Sequence, residues 1–204
     1  MRFLPAGYSG LLVECDDLAQ VVALHRALQR TRPQGVVDLV PAALTLLLTF
    51  DASTSHARLS DTIAATDLES GDGPAQERHV TIEVTYHGAD LADVAELTGI
   101  PEEEVVRRHQ AAHYVVAFTG FAPGFAYVAG GDPALVVPRR STPRTKVPAG
   151  SVALAGEFTG VYPGEGPGGW QLIGRTDAPL WDLQRDPPAL LTPGTTVRFT
   201  EARP

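Results

Sequence analysis

The sequence predicts an α+β protein in two parts: a small N-terminal α/β two-layer domain over residues 1–75, and a mostly β domain over residues 79–204 that forms a closed or partly closed barrel. Three observations carry this. Residues 10–68 order themselves as β-α-β-β-α by apolar runs and helical spacing. Residues 69–78, ESGDGPAQER, hold no apolar residue except Ala75 and read as a linker. From His113 on, short strand-like runs are broken by Gly and Pro.

In the first part, Gly10–Glu14 is a short apolar run that suits a strand. Leu18, Val21, Val22, Leu24, Ala27 and Leu28 then recur at steps of three and four, the pattern of an amphipathic helix capped by Asp16 or Asp17 and ended by Pro33 and Gly35. Val36–Val40 and Leu44–Phe50 read as two strands separated at Pro41. A second helix is expected over Ser55–Leu68, with Ile63 and Leu68 inward. Both helices then pack on one face of the sheet.

In the second part, His79–Tyr86 alternates Val80, Ile82, Val84 and Tyr86 with polar residues, a half-buried strand. Helices follow over Asp90–Leu97, stopped by Gly99, and from Pro101 through His109. Glu102, Glu103 and Glu104 at the start of that helix, with Arg107 and Arg108 near its end, favour the macrodipole without any functional role. Strand-like runs then fall at Tyr114–Phe118, Ser151–Ala155, Trp170–Gly174 and Thr195–Phe199.

The chain has 204 residues, is 44% hydrophobic and 20% charged, and carries a net charge of −8. That apolar content argues against disorder. The longest apolar stretch, Leu39–Phe50, is too short for a membrane span and contains Pro41. With 16 Lys plus Arg against 24 Asp plus Glu, nucleic acid is not the expected partner. One cysteine, Cys15, excludes a disulfide framework and a Cys-based zinc site; it reads as a small core residue, and a cytoplasmic setting fits. The N-terminus lacks a signal-peptide pattern.

Gly and Pro are unevenly placed. Of 20 Gly and 17 Pro, 12 Gly and 7 Pro lie between Gly120 and Gly174. Four phrases there are candidates for chemistry: Gly120–Tyr127 (GFAPGFAY), Pro138–Ser151 (PRRSTPRTKVPAGS), Thr159–Pro163 (TGVYP) and Gly166–Thr176 (GPGGWQLIGRT). Such loops either shape a site or merely turn barrel corners, because both uses need the same Gly and Pro chemistry. Arg139, Arg140, Arg144 and Lys146, the only lysine, put four positive charges within eight residues, and no acid occurs from Pro133 to Gly156. The stretch reads either as a solvated face or as a site for a carboxylate or phosphate.

Other motifs are weaker. Gly164–Gly169 matches G-x-G-x-x-G but leads into a strand, so no dinucleotide site follows, and no G-x-x-x-x-G-K-[ST] loop exists. His109 and His113 stand four apart without the Glu of H-E-x-x-H or a clear third ligand, so a structural role is expected and no metal site is assigned. No Ser-His-Asp or paired-carboxylate arrangement follows from spacing, and the catalytic residue stays unassigned.

In this order, the four phrases resemble the allophanate hydrolase subunit 1 family, also called the family of 5-oxoprolinase B-type subunits or kinase A inhibitors. The resemblance extends to Gly35–Pro41 and Glu104–His109. It implies a small N-terminal α/β domain followed by a cyclophilin-like β-barrel, as one half of a carboxyltransferase-type unit. It further implies part of a bacterial ATP-dependent 5-oxoprolinase that opens the lactam of 5-oxoproline to glutamate. The partners would be a subunit of the C type and a third of the A type, with ATP used at the level of the complex and no cofactor evident in this chain. Relatives also serve in urea carboxylase or allophanate hydrolase-type carboxyltransferases, or inhibit a sensor histidine kinase; a binding or prolyl isomerase module is a further reading of the fold.

A small anionic substrate would lie among Arg139, Arg140, Arg144 and Lys146, the loop residues Gly120, Phe121, Pro123, Gly124, Phe125 and Tyr127, and Gly168, Gly169 and Trp170. Three positions depart from the family pattern. Relatives read G-x-Q where this chain has Gly156-Glu157-Phe158, Ser where it has Gly166, and Pro where it has Ala126.

Overall fold

The computed structural model describes residues 1–68 and 78–202, so the expected linker lies outside the described residues except for Arg78. The chain divides into two compact units, Met1–Ala75 and Gln76–Pro204.

In the first unit, β1 (Arg2–Pro5), β2 (Gly10–Glu14), α1 (Leu18–Thr31), β3 (Val36–Pro41), β4 (Thr45–Phe50) and α2 (His56–Ala64) build an antiparallel sheet of order β1-β2-β4-β3. Asp17 caps α1 by accepting from Gln20 N–H at 2.8 Å, and Ser55 caps α2 through Arg58 N–H. One core collects Leu11 and Val13 from the sheet's centre, Leu46 and Leu48 from β4, Val21, Leu24 and Leu28 from α1, and Leu59 and Ile63 from α2. Helix α2 is shorter than expected. After Ile63 the chain offers Ala, Ala, Thr and Asp before Leu68, and Thr62 and Thr66 turn their hydroxyls back to carbonyls four residues earlier. Edge strand β1 was not expected, because its four residues stay largely exposed and show no alternation.

The second unit contains β5 (His79–Val84), α3 (Leu91–Thr98), α4 (Glu102–Ala111), β6 (Tyr114–Thr119), β7 (Ala126–Ala129), a 3₁₀ turn at Pro133–Leu135, β8 (Arg144–Val147), β9 (Ser151–Ala155), β10 (Phe158–Val161), β11 (Gly166–Gly168), β12 (Gln171–Arg175) and β13 (Thr196–Glu201). Seven of these strands form one sheet of order β12-β9-β10-β7-β6-β13-β5, and β8 pairs with β11 in a small separate ribbon. Only β13 and β5 run parallel. The sheet's two ends meet where Thr85 and Arg175 exchange both backbone hydrogen bonds, at 2.8 and 2.9 Å, which nearly closes a barrel. Directly after this seam Gly88 donates to Ile173 O, and a Cβ at Gly88 would run into the backbone of Leu172, Ile173 and Gly174.

The fully buried strand β9 explains why Ser151–Ala155 reads as a continuous apolar run. Val152 and Leu154 face the barrel core with Ile82, Val116, Val128 and Ile173. Ala153 and Ala155 face outward, beneath a second layer of Phe125, Val147, Tyr162 and Trp170. Small alanines on that face let the aromatic layer sit close to the wall.

Replacing Gly88 by Ala forces the crossing segment away from β12 and is expected to cost about 1–3 kcal/mol. The check is thermal unfolding, with a midpoint lowered by several degrees.

Candidate functional site

The Gly120–Phe125 loop is a closed hydrogen-bonded unit. Ala122 N–H donates to Gly120 O at 2.8 Å around Phe121, whose φ is +67°, forming a γ-turn that an aromatic residue rarely adopts. Phe125 N–H then donates to Ala122 O at 2.9 Å, with Pro123 and Gly124 at the centre and Gly124 at φ +85°. Pro followed by a positive-φ Gly is the requirement of a type II turn. The two turns push Phe121 outward, 59% exposed, while Phe125 is buried.

Beneath the loop, Tyr162 joins the phrases into one cluster. Its ring lies edge-on to Phe125 at 5.4 Å and to Phe121 at 6.1 Å, and Trp170 lies edge-on to Phe125 at 5.4 Å. Tyr127 stacks on Phe118 and touches Trp170 at 5.5 Å. The Trp170 backbone N–H donates to the Tyr162 hydroxyl, and a Cβ at Gly168 would strike that hydroxyl. Burial raises the Tyr162 pKa against the opposing pull of the Trp170 hydrogen bond and the Arg139 and Arg144 charges. Gly169 lies against Pro143, and its carbonyl accepts Arg140 N–H at 2.7 Å. Thus the Gly120–Tyr127, Pro138–Val147 and Gly168–Trp170 segments, separate in sequence, assemble on one outer face of the barrel.

The basic stretch is less free than its composition implies. Asp90, 1% exposed at the start of α3, accepts from Arg140 Nη1 at 2.6 Å, from Arg144 Nη2 at 2.7 Å and Nη1 at 2.9 Å, and from Leu172 N–H at 2.7 Å. Burial raises the Asp90 pKa, but the Arg144 hydrogen bond, the Leu172 N–H and the two guanidinium charges outweigh it, and the net shift is down. Asp93 approaches Arg140 at 3.6 Å, and exposed Lys146 pairs with Glu165 at 3.0 Å. Arg139, exposed, is the one of the four cations with no ion pair among the described residues. Asp90 was legible only as the start of a helix; its partners lie 50 or more residues away.

His109, also read from sequence only as half of a spaced pair, is fully buried in the barrel core. Its Nδ1 meets the Tyr86 hydroxyl at 2.8 Å and its Nε2 meets Thr159 Oγ1 at 3.0 Å, while Thr159 Oγ1 donates to Ala153 O at 3.2 Å. These partners assign the imidazole proton to Nε2, with Nδ1 accepting from Tyr86. Burial pushes the His109 pKa down to about 3, so the ring is neutral. Both ring nitrogens are thereby occupied by protein, which leaves the residue no metal-binding atom.

Two outcomes follow. Asp90→Asn removes the counter-ion of Arg144 and leaves Arg140 only exposed Asp93 at 3.6 Å, and is expected to cost about 3 kcal/mol, the low end for a broken buried pair because each guanidinium keeps some exposure. Denaturant unfolding measures it; since the folded pKa is depressed, the wild-type contribution holds above pH ~4 and disappears as the pH falls through the folded value. For His109 the unfolded chain takes up the proton first. The His109 contribution is therefore complete above pH ~6.5 and falls toward pH 3 by up to about 1.4 kcal/mol per pH unit, a part of the acid slope that His109→Phe removes.

Residues 1–191 match the model of the carboxyltransferase domain, subdomains C and D. The chain is 51% identical over 127 residues to a 5-oxoprolinase B-type subunit of Escherichia coli O157:H7, an alignment covering 61% of this chain and 58% of that protein. It is 38% identical over 180 residues to the 5-oxoprolinase B-type subunit of Bacillus subtilis strain 168, covering 81% of this chain and 75% of that one. Among solved structures, TTHA0988 superposes with a TM-score of 0.80 at 38% identity over 96% of this chain and 40% of that one. The urea amidolyase of Kluyveromyces lactis superposes with a TM-score of 0.72 over 98% of this chain and 15% of that one, at 20% identity, a likeness of fold alone. The chain spans less than two thirds of the E. coli relative and of TTHA0988. It belongs to the family of carboxyltransferase domains, subdomains C and D.

Proposed function

We propose that this chain is a subunit of an ATP-dependent 5-oxoprolinase, acting as one half of a carboxyltransferase-type unit. The observation that carries the reading is its similarity to B-type subunits of 5-oxoprolinase along both units of the chain. The aromatic face supports it, since a rigid, hydrogen-bonded loop and a Pro-braced basic segment sit side by side there. The reaction adds water across the lactam C–N bond: hydroxyl goes to the carbonyl carbon, a proton goes to the ring nitrogen, and glutamate leaves.

In this reading Arg139 and Lys146 meet the carboxylate of the small anionic substrate, because Arg140 and Arg144 are held by Asp90. Gly120, Phe121, Pro123, Gly124, Phe125, Tyr127, Gly168, Gly169 and Trp170 form the wall against which the ring lies, and the exposed Phe121 covers it. The C-type partner subunit completes the cleft, and the A-type subunit joins them in the ATP-dependent step. Among the described residues no helix is long and apolar enough to cross a membrane, and a cytoplasmic location belongs to the same proposal. The likeness to urea amidolyase, at 20% identity, gives no ground for a urea substrate.

The test is reconstitution with both partner subunits and an assay of glutamate released from 5-oxoproline. Arg139→Ala and Lys146→Ala are each expected to lower kcat/KM about tenfold or more, mostly through KM, as loss of a charged hydrogen bond to a bound carboxylate requires. If the wild-type chain adds nothing to the release produced by the partners alone, the function is refuted. Wild-type rates in both variants would remove the assigned anion site.

A further inference from the structure

A second cleft, of about 340 Å³, opens between the Gly130–Val136 turn and the Gly156–Thr159 segment, outside the aromatic face. Two buried hydroxyls stand at it. Thr159, 1% exposed, accepts from His109 and directs its proton to Ala153 O. Tyr114, also 1% exposed, has a hydroxyl that makes no hydrogen bond among the described residues. The edge of the Tyr114 ring lies against the cleft's glycine edge: a Cβ at Gly131 would stand 3.2 Å from Tyr114 Cε1 and 3.6 Å from its Oη.

The rest of the lining sets the chemistry of an occupant. Leu135, Leu154 and Phe158 give apolar walls. Glu157 stands exposed at the rim, Asp132 beside it is paired with Arg108 at 3.3 Å, and no Lys or Arg lines the cleft, so nothing there attracts an anion. Burial, reinforced by the Asp132 charge, raises the Tyr114 pKa, and the group therefore remains a donor. A volume of this size suits a small molecule.

The geometry points to this cleft as a binding site for a compact neutral molecule that offers one carbonyl oxygen to the Tyr114 hydroxyl and lays its apolar body on Leu135, Leu154 and Phe158. The pairing satisfies a buried donor that the protein itself leaves unused. It stands apart from the anion site, whose charge preference is the opposite. Ligand contact at the floor also reaches the His109 ring through Thr159.

The probe is 2-pyrrolidinone, a neutral lactam, titrated into the ¹⁵N-labelled full chain near pH 7, with acetate as the anionic control. Expected are saturable amide shifts confined to residues 130–136 and 156–159, a matching shift of the His109 ring nitrogens, and no such response to acetate. Tyr114→Phe, which removes one oxygen, weakens binding at least fivefold, and Gly131→Val abolishes it. The proposal is overturned by absence of saturable shifts at these residues, by acetate binding as tightly, or by unchanged affinity in Tyr114→Phe. Should Tyr114→Phe lose its dispersed spectrum, Gly131→Val decides: wild-type affinity there overturns the proposal equally. None of these readouts depends on 5-oxoproline turnover, so this site and the proposed function fail separately.

Discussion

The buried Asp90 carboxylate holds three remote pieces of chain in one place. It opens α3, takes hydrogen bonds from two arginines of the Pro138–Val147 segment, and takes a further one from the backbone of β12. A lone carboxylate in such a setting would take up a proton; four donated hydrogen bonds keep it ionised. The geometry of the basic stretch therefore follows from one acid that the stretch does not contain. The same contact changes its charge. Two guanidiniums that count as free positive charges in the sequence share the single Asp90 carboxylate in the fold, with exposed Asp93 3.6 Å from Arg140, which leaves Arg139 without an ion pair among the described residues and Lys146 with only an exposed one.

The aromatic layer depends on that anchoring and on the barrel wall below it. Trp170 and Tyr162 pack as they do only because β9 presents Ala153 and Ala155 outward, and because Gly168 leaves room for the Tyr162 hydroxyl. Above them the Gly120–Phe125 loop holds Phe121 in a conformation that ordinarily belongs to glycine. Two consecutive turns and the Phe125 ring contact keep it there.

Much of the first unit was legible because its elements are long and locally encoded. The spacing from Leu18 to Leu28 and the Asp17 cap define α1, and the runs at β2, β3 and β4 fall where expected. In the second unit β5, β6, β9, β12 and β13 were visible as β-branched or alternating runs. Strands β7 and β10 were not, since each has four residues, and aromatic and Gly residues of the loop phrases run straight into them. The phrases that assemble on the aromatic face were recognisable from Gly and Pro placement, as Pro123 and Gly124 illustrate. What escaped was every feature that depends on long-range pairing. Asp90 read only as the first residue of a helix, Tyr162 as one member of the Thr159–Pro163 phrase, and His109 as half of a spaced pair, because nothing within a few residues reveals a buried partner.

The seam between Thr85 and Arg175 and the parallel pair β5–β13 have a consequence for how the second unit comes into being. Strand β5 is the first of this unit to leave the ribosome and has no neighbour until β12 and β13 have been made. Every other pair in the barrel except β6–β13 can form earlier from strands closer in sequence. During synthesis the polypeptide thus carries an unpaired strand through most of the unit's length, with Ile82 and Val84 awaiting burial. The alternation of β5 leaves His79, Thr81 and Glu83 on its other face, so only one side of the waiting strand is apolar.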